Sequence, residues 1–192
     1  QWSSNDETIA VINSEGTITA KGSGITTVTA KTETGYDHLG VIVGGDDVYT
    51  DEKVANLRAA ITKTLAELSQ EEDGFFMMYE EAYIDKECHN NRPDLSYMTM
   101  VRFNQAVAMF MEFAMYNPET LVVITADHET GGLGFHATGG MSYSSTGHTP
   151  ADVPIFAYGQ GAEVFDDYFD ENNLIPMELA KLWGVPDFGD QG

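Results

Sequence analysis

Cysteine is all but missing: Cys88 is the single one, so no disulfide can close within the chain, which neither requires nor excludes export. Positive charge is scarce as well. Nine Lys and Arg stand against 31 Asp and Glu, a formal net charge of −22. Such acidity repels phosphate backbones and argues against a nucleic-acid partner. It also repels small anionic substrates, unless a site is loaded with divalent cations that reverse the local field. No apolar run approaches the ~20 residues that span a bilayer, and no signal-peptide pattern is visible. Internal repeats and low-complexity tracts are missing too. What is present is a globular composition, 42% hydrophobic with ten Phe, in a chain long enough for one domain plus something smaller. The chain opens on Gln1 and runs at once into a strand-like pattern, so further sequence is expected upstream.

Two textures follow one another. Thr8 to Ile12, Thr17 to Ala20 and Ile25 to Lys31 are short and rich in Thr, Val and Ile, which predicts strands. Asn13-Ser14-Glu15-Gly16 and Lys21-Gly22-Ser23-Gly24 between them are turn chemistry, and Leu39 to Val43 could add a strand. Residues 1–44 are therefore expected to form a small all-β element, 45–50 a linker, and 51–192 an α/β region. In that region Thr50 is a candidate N-cap, with Asp51 and Glu52 suited to the positive end of a helix dipole. Val54, Leu57, Ile61, Leu65 and Leu68 recur at helical spacing. Thr99 to Tyr116 predicts a second helix, ended near Pro118, and its Met and Phe stripe (Met98, Met100, Phe103, Met109, Phe110, Met111, Phe113) reads as core. Phe75 to Tyr79, Leu121 to Thr125 and Val153 to Tyr158 read as buried strands, and Asn172 to Trp183 as a helix stopped by Gly184. Alternating helices and strands argue for an α/β fold with a largely buried sheet.

Chemistry-bearing residues gather near those strand runs, where sites collect in open α/β sheets. Glu80, Glu81, Asp85 and His89 follow the first run. Asp85 and His89, four apart, could converge on one metal, and a carboxylate with an imidazole suits zinc. A solvated acidic turn with a stray histidine would have the same spacing. Asp127 and His128 end the second run; a metal would satisfy both, and so would an ion pair or a cap. His148 sits in a Ser/Thr/Gly loop before the third run, a setting in which a histidine is most often only a loop residue. His38 and His136 have no such setting and read as surface residues. Cys88 reads as a buried thiol rather than a ligand.

Taken in order, these segments resemble two families. WSSNDETIAVINSEGTITAKGSGITTVTAKT, with its opening Trp-Ser-Ser and Gly-rich step before the last strand, resembles the second half of a bacterial immunoglobulin-like domain of group 2. GFFMMYEEAYIDKECH, TLVVITADHETGGL, STGHTPADVPIFAYG and ENNLIPMELAKLWG resemble the metal-binding C-terminal half of the alkaline phosphatase family, over roughly Asp51 to Val185. The second resemblance implies part of an alkaline-phosphatase-like sheet flanked by helices, and a site with two zinc ions and one magnesium. Asp85, His89 and His148 would ligate one zinc, Asp127 and His128 the other, and Glu80 the magnesium. Only the first zinc would have its full set of protein ligands in this chain. It further implies hydrolysis of phosphate monoesters through a phosphoserine. The family's nucleophile segment (Asp-Ser-Ala), its bridging Asp and its phosphate-clamping Arg have no counterpart here, and Ser142, Ser144 and Ser145 lack the matching context. The chain alone is thus expected to be inactive or nearly so. Glu81 stands where many relatives carry a small residue, a difference that could alter the rim of the site without disturbing the ligands.

A phosphodiesterase or phosphomutase of the same superfamily, or a cell-surface adhesion module with a remnant phosphatase half, would share much of this pattern. Retention of all six candidate ligands weighs against decay. A secreted, periplasmic or cell-surface location, with attachment through the immunoglobulin-like segment, follows from the two resemblances, and a homodimer is the expected assembly.

Overall fold

The computed structural model describes residues 1–44, 50–135, 141–166, 171–185 and 188–189. Most of the expected linker and His136 lie outside them. The chain divides into two compact units, Gln1–Ala106 with Glu129–Ala151, and Val107–His128 with Asp152–Gly192.

In the first unit, five strands come first: β1 (Trp2–Ser4), β2 (Ala10–Ile12), β3 (Ile18–Ala20), β4 (Gly24–Lys31) and β5 (Tyr36–Val43). β1, β4 and β5 form an antiparallel sheet, and β2 pairs antiparallel with β3. Ala10, Thr26 and Val28 are its buried centre. Helix α1 (Asp51–Leu68) starts where the sequence places it, with the Lys53 backbone N–H donating to Thr50 Oγ1 at 3.2 Å. Its apolar stripe buries Ile61 and Leu65. Helix α2 (Tyr83–His89) is short, and α3 (Pro93–Tyr116) begins on a proline, which costs no helical hydrogen bond at that position. Four short strands belong to the two units: β6 (Leu121–Ile124) to the second, and β7 (Glu129–Thr130), β8 (Gly134–Phe135) and β9 (Met141–Ser142) to the first. β10 (His148–Thr149) pairs antiparallel with β7, and β8 with β9.

The second unit holds the rest of α3, then β6 and β11 (Phe156–Gly159), which pair antiparallel, a 3-10 turn (Ala162–Phe165), and α4 (Leu174–Leu182). Past α4, Gly184 takes a φ of 77°, a left-handed helix stop that glycine accepts without strain.

Three expectations need correction. Phe75 to Tyr79 is in no sheet of the described residues; its side chains alternate, with Phe76 and Met78 60% and 77% exposed. Val153 to Tyr158 contracts to β11, whose Phe156 is also exposed. A continuous apolar run becomes a buried strand only when neighbours cover both faces, and the sheets of the described residues have two or three strands. The Met and Phe stripe of α3 is half-buried, with Met100 exposed. The most buried positions of the helix include Thr99, Ala106 and Ala114 instead.

Candidate metal centre

β7 and β10 form the frame. Their ladder sets His148 opposite Thr130 and Thr149 opposite Glu129. Side chains directly opposite share a face and successive ones alternate, so one face carries His148 with Thr130 and the other Thr149 with Glu129. Each face has its own task.

On the first face, α2 supplies the remaining groups. Asp85 and His89 stand at i and i+4 and so project together. Three atoms converge: His89 Nε2 and His148 Nε2 lie 3.2 Å apart, and each lies near Asp85 Oδ1, at 3.4 and 3.5 Å. Ligands about 2.05 Å from a tetrahedral zinc are about 3.3 Å from each other. The triangle therefore already has the edge lengths of such a site. The three side chains are 37–49% exposed, which leaves the solvent side open for a fourth ligand.

The surroundings select the tautomer and orientation that a metal requires. His89 Nδ1 faces the Thr146 carbonyl oxygen at 2.5 Å. A carbonyl only accepts, so Nδ1 carries a hydrogen, and this is the tautomer whose Nε2 lone pair is turned to the triangle. The Thr130 hydroxyl donates to Asp85 Oδ1 at 2.6 Å. Carbonyl and hydroxyl partners of this kind orient first-coordination groups, and a carbonyl that accepts from Nδ1 also makes the opposite ring nitrogen a better ligand. Three electron-rich atoms so close repel unless a cation joins them; a proton can serve one pair, a metal ion all three.

The second face holds the loop. Glu129 accepts from the Thr149 hydroxyl and from the backbone N–H groups of Gly132 and Leu133 at 3.1 and 3.0 Å. Burial pushes its carboxyl upward, but the Thr149 hydroxyl and those N–H groups outweigh it and hold Glu129 below the ordinary glutamate value. The chain turns at Gly131 and Gly132, with φ of 91° and 59°; a Cβ would fall 2.5 Å from the Tyr143 ring at the first and 2.1 Å from Ser144 Oγ at the second. Only glycine fits both positions. Cys88, one residue before His89, is buried with its Sγ 3.7 Å from the Tyr143 hydroxyl. Burial raises its pKa, so it is a packed thiol outside the triangle.

The other candidate ligands are Glu80 in the first unit and Asp127 and His128 in the second. Glu80 is exposed and joins no group of three converging ligand atoms among the described residues. Asp127 and His128 follow the carboxyl end of β6 in the second unit, with His128 Nε2 3.4 Å from Asp127 Oδ2. The Asp127 carbonyl accepts from Asn172 Nδ2 at 2.5 Å, and Thr125 Oγ1 donates to the Pro154 carbonyl at 3.1 Å. Glu81, where many relatives are expected to carry a small residue, is drawn inward into an ion pair with Arg102. His38 is exposed, with Nδ1 2.9 Å from the Thr29 hydroxyl.

Sequence reading passed over Thr130, Thr146, Glu129 and Thr149. Thr146 acts through its backbone, which leaves no trace in the side chain. Thr130 needs the ladder register before its hydroxyl can be matched to Asp85. Replacing Thr130 with Val keeps the β-branched shape and removes only the hydroxyl. Zinc affinity is expected to fall about 10- to 100-fold with unchanged circular dichroism, measured by competition with a chromogenic chelator.

A family model described as Alkaline phosphatase matches residues 39–143. Alkaline phosphatase 4 of Bacillus subtilis is 37% identical over 82 residues, which is 43% of this chain and 18% of that protein. Among solved structures, the alkaline phosphatase of the Antarctic bacterium TAB5 superposes with a TM-score of 0.61 at 33% identity, covering 67% of this chain and 41% of that one. A mutant of the same enzyme with Mg bound in its M3 site gives 0.62 at 31%, with the same coverage. The chain thus spans under a fifth of the first curated relative's length and about two fifths of these solved chains.

Proposed function

The chain belongs to the alkaline phosphatase family, and from that membership we propose that it supplies the metal-binding half of a zinc- and magnesium-dependent phosphate monoester hydrolase. The observation that carries the reading is the Asp85–His89–His148 triangle, with edges of 3.2–3.5 Å. Those three residues hold one zinc. Asp127 and His128 give two ligands to a second, and Glu80 gives one to magnesium. When bound, such ions neutralise the charge that develops on the entering and leaving oxygens of phosphoryl transfer. The chain's own residues do the positioning: Thr130 holds Asp85, the Thr146 carbonyl holds His89 in the ligating tautomer, and the Glu129 clamp keeps β10 and its His148 in register.

The phosphoserine step belongs to a serine outside these 192 residues, so this chain alone turns over no phosphate ester. Residues 1–44 are an immunoglobulin-like segment, a reading supported by the antiparallel β1–β4–β5 sheet and the β2–β3 pair. With 45–50 as linker and 51–192 as the phosphatase region, this organisation suits an exported protein that meets phosphate monoesters outside the cytoplasm.

Charge supplies the test. At a net charge of −22 the metal-free protein repels phosphate, whereas metal turns the site into an anion receptor. Titration of inorganic phosphate, followed by phosphorus NMR line broadening, is expected to show binding with zinc and none with excess chelator. Equal binding in both states would overturn the reading.

A further inference from the structure

Glu81 and Arg102 form the tightest ion pair of the first unit's interior among the described residues. Arg102 Nε and Nη2 donate to Glu81 Oε2 and Oε1 at 2.9 and 2.5 Å, and the two side chains are only 5% and 19% exposed. The Tyr79 hydroxyl donates to the same carboxylate at 3.2 Å. Burial, then the neighbouring Glu81 charge, push the Tyr79 phenol up to about 12, so it remains a donor throughout the neutral range. Tyr79 also stacks on Phe103, with ring centroids 6.1 Å apart, and the Arg102 guanidinium lies 5.9 Å from the Tyr83 ring. The pair crosses 21 residues of sequence and joins the segment before α2 to the body of α3.

That segment needs such an anchor. Residues 74–81 have no regular secondary structure, and α2 has seven residues with no side-chain cap at its start. Helices this short are not stable by themselves; their direction is set by what holds their ends. The far end of α2 is held through Cys88 and the Tyr143 hydroxyl, which in turn lies 2.7 Å from Ser96 Oγ. At the near end, the Glu81 carbonyl accepts from the Ile84 N–H at 3.2 Å, so the residue paired with Arg102 is also part of the turn that opens the helix. From Ala82 to His89 is about 10 Å of helix, and a swing of ~10° about the start would move His89 by ~2 Å. Metal sites tolerate errors of about 0.2 Å in bond length.

We propose that the Glu81–Arg102 pair is a positioning device, which aims α2 so that Asp85 and His89 meet His148 within coordination distance. The proposal rests on the metal-site reading above and adds to it a pair that touches no ligand. The pair also consumes the Glu81 charge, so that of the two adjacent carboxylates only Glu80 faces solvent.

The test uses cobalt(II) titrated into the full 192-residue chain, read by the visible absorption band that grows strong in tetrahedral coordination. The wild type is expected to give that band. Glu81→Gln keeps the shape and removes the ion pair; it should bind cobalt about tenfold more weakly, on the scale of a lost outer-sphere partner, with a weaker, shifted band and an unchanged near-ultraviolet dichroism of the metal-free protein. Glu81→Asp, which keeps the charge, should recover part of both. An unchanged affinity and band in Glu81→Gln would overturn the positioning role while the wild-type spectrum left the metal site standing. No tetrahedral band in the wild type would instead overturn the metal site itself. Should Glu81→Gln fail to fold, Arg102→Lys carries the same test, since it keeps the charge and loses the two-pronged contact; full wild-type affinity there would overturn the proposal.

Discussion

Changing His148 to Ala is expected to reduce the zinc retained after dialysis against a weak chelator from about one ion per chain to none. The wild-type chain offers three converging donors and an open fourth position; the variant offers two. Zinc sites with four protein ligands are worth about 10–16 kcal/mol, so one ligand is worth about 3 kcal/mol, or two orders of magnitude in affinity. His148 is an exposed residue in a two-residue strand, and its loss removes no packed core, so folding should survive. Elemental mass spectrometry of the two proteins checks the count. Asp127→Ala is the control, because Asp127 is not one of the three converging donors and should leave the retained zinc unchanged. Zinc retained by His148→Ala and lost from Asp127→Ala would move the tight site to the second unit.

The members of that triangle show what a sequence reveals and what it hides. Asp85 and His89 were legible from spacing, because four residues make one turn of helix and α2 is in fact helical there. His148 lies 59 residues beyond His89, and no local pattern joins them. Their convergence depends on the β7–β10 ladder, two residue pairs long, which no propensity would find. The helices α1 and α4 were legible for the opposite reason: a cap, an apolar period and a glycine stop are all local. Phe75 to Tyr79 misled because composition reports a preference for burial, whereas burial itself needs covering neighbours. Glu81 was hidden for the same reason as His148: Arg102, its partner from α3, lies 21 residues away, and no local pattern joins them.

Saturating the chain with zinc is expected to protect one part of it and leave another unchanged. An ion that binds only when α2, β7 and β10 are together stabilises that arrangement by RT ln(1 + [Zn]/Kd), about 2.7 kcal/mol at one hundred times Kd. In a protein of this size that raises the melting temperature of the unit carrying the site by roughly 5–10 °C. The sharper reading is local. Amides within Tyr83–His89, Glu129–Thr130 and His148–Thr149 exchange through openings that separate the ligands, so zinc must leave first and their exchange should slow by up to about a hundredfold. Amides of β1 to β4, centred on the buried Ala10, Thr26 and Val28, can open with the triangle intact and should keep their zinc-free rates. Hydrogen exchange with mass-spectrometric readout separates the two sets of peptides. His148→Ala should abolish the protection in all three site segments at once, because no pair of the remaining groups ties α2 to β10. Protection spread evenly over the β-element and the site would mean that the whole unit opens as one cooperative body; protection absent from α2 would mean that Asp85 and His89 do not share the ion with His148.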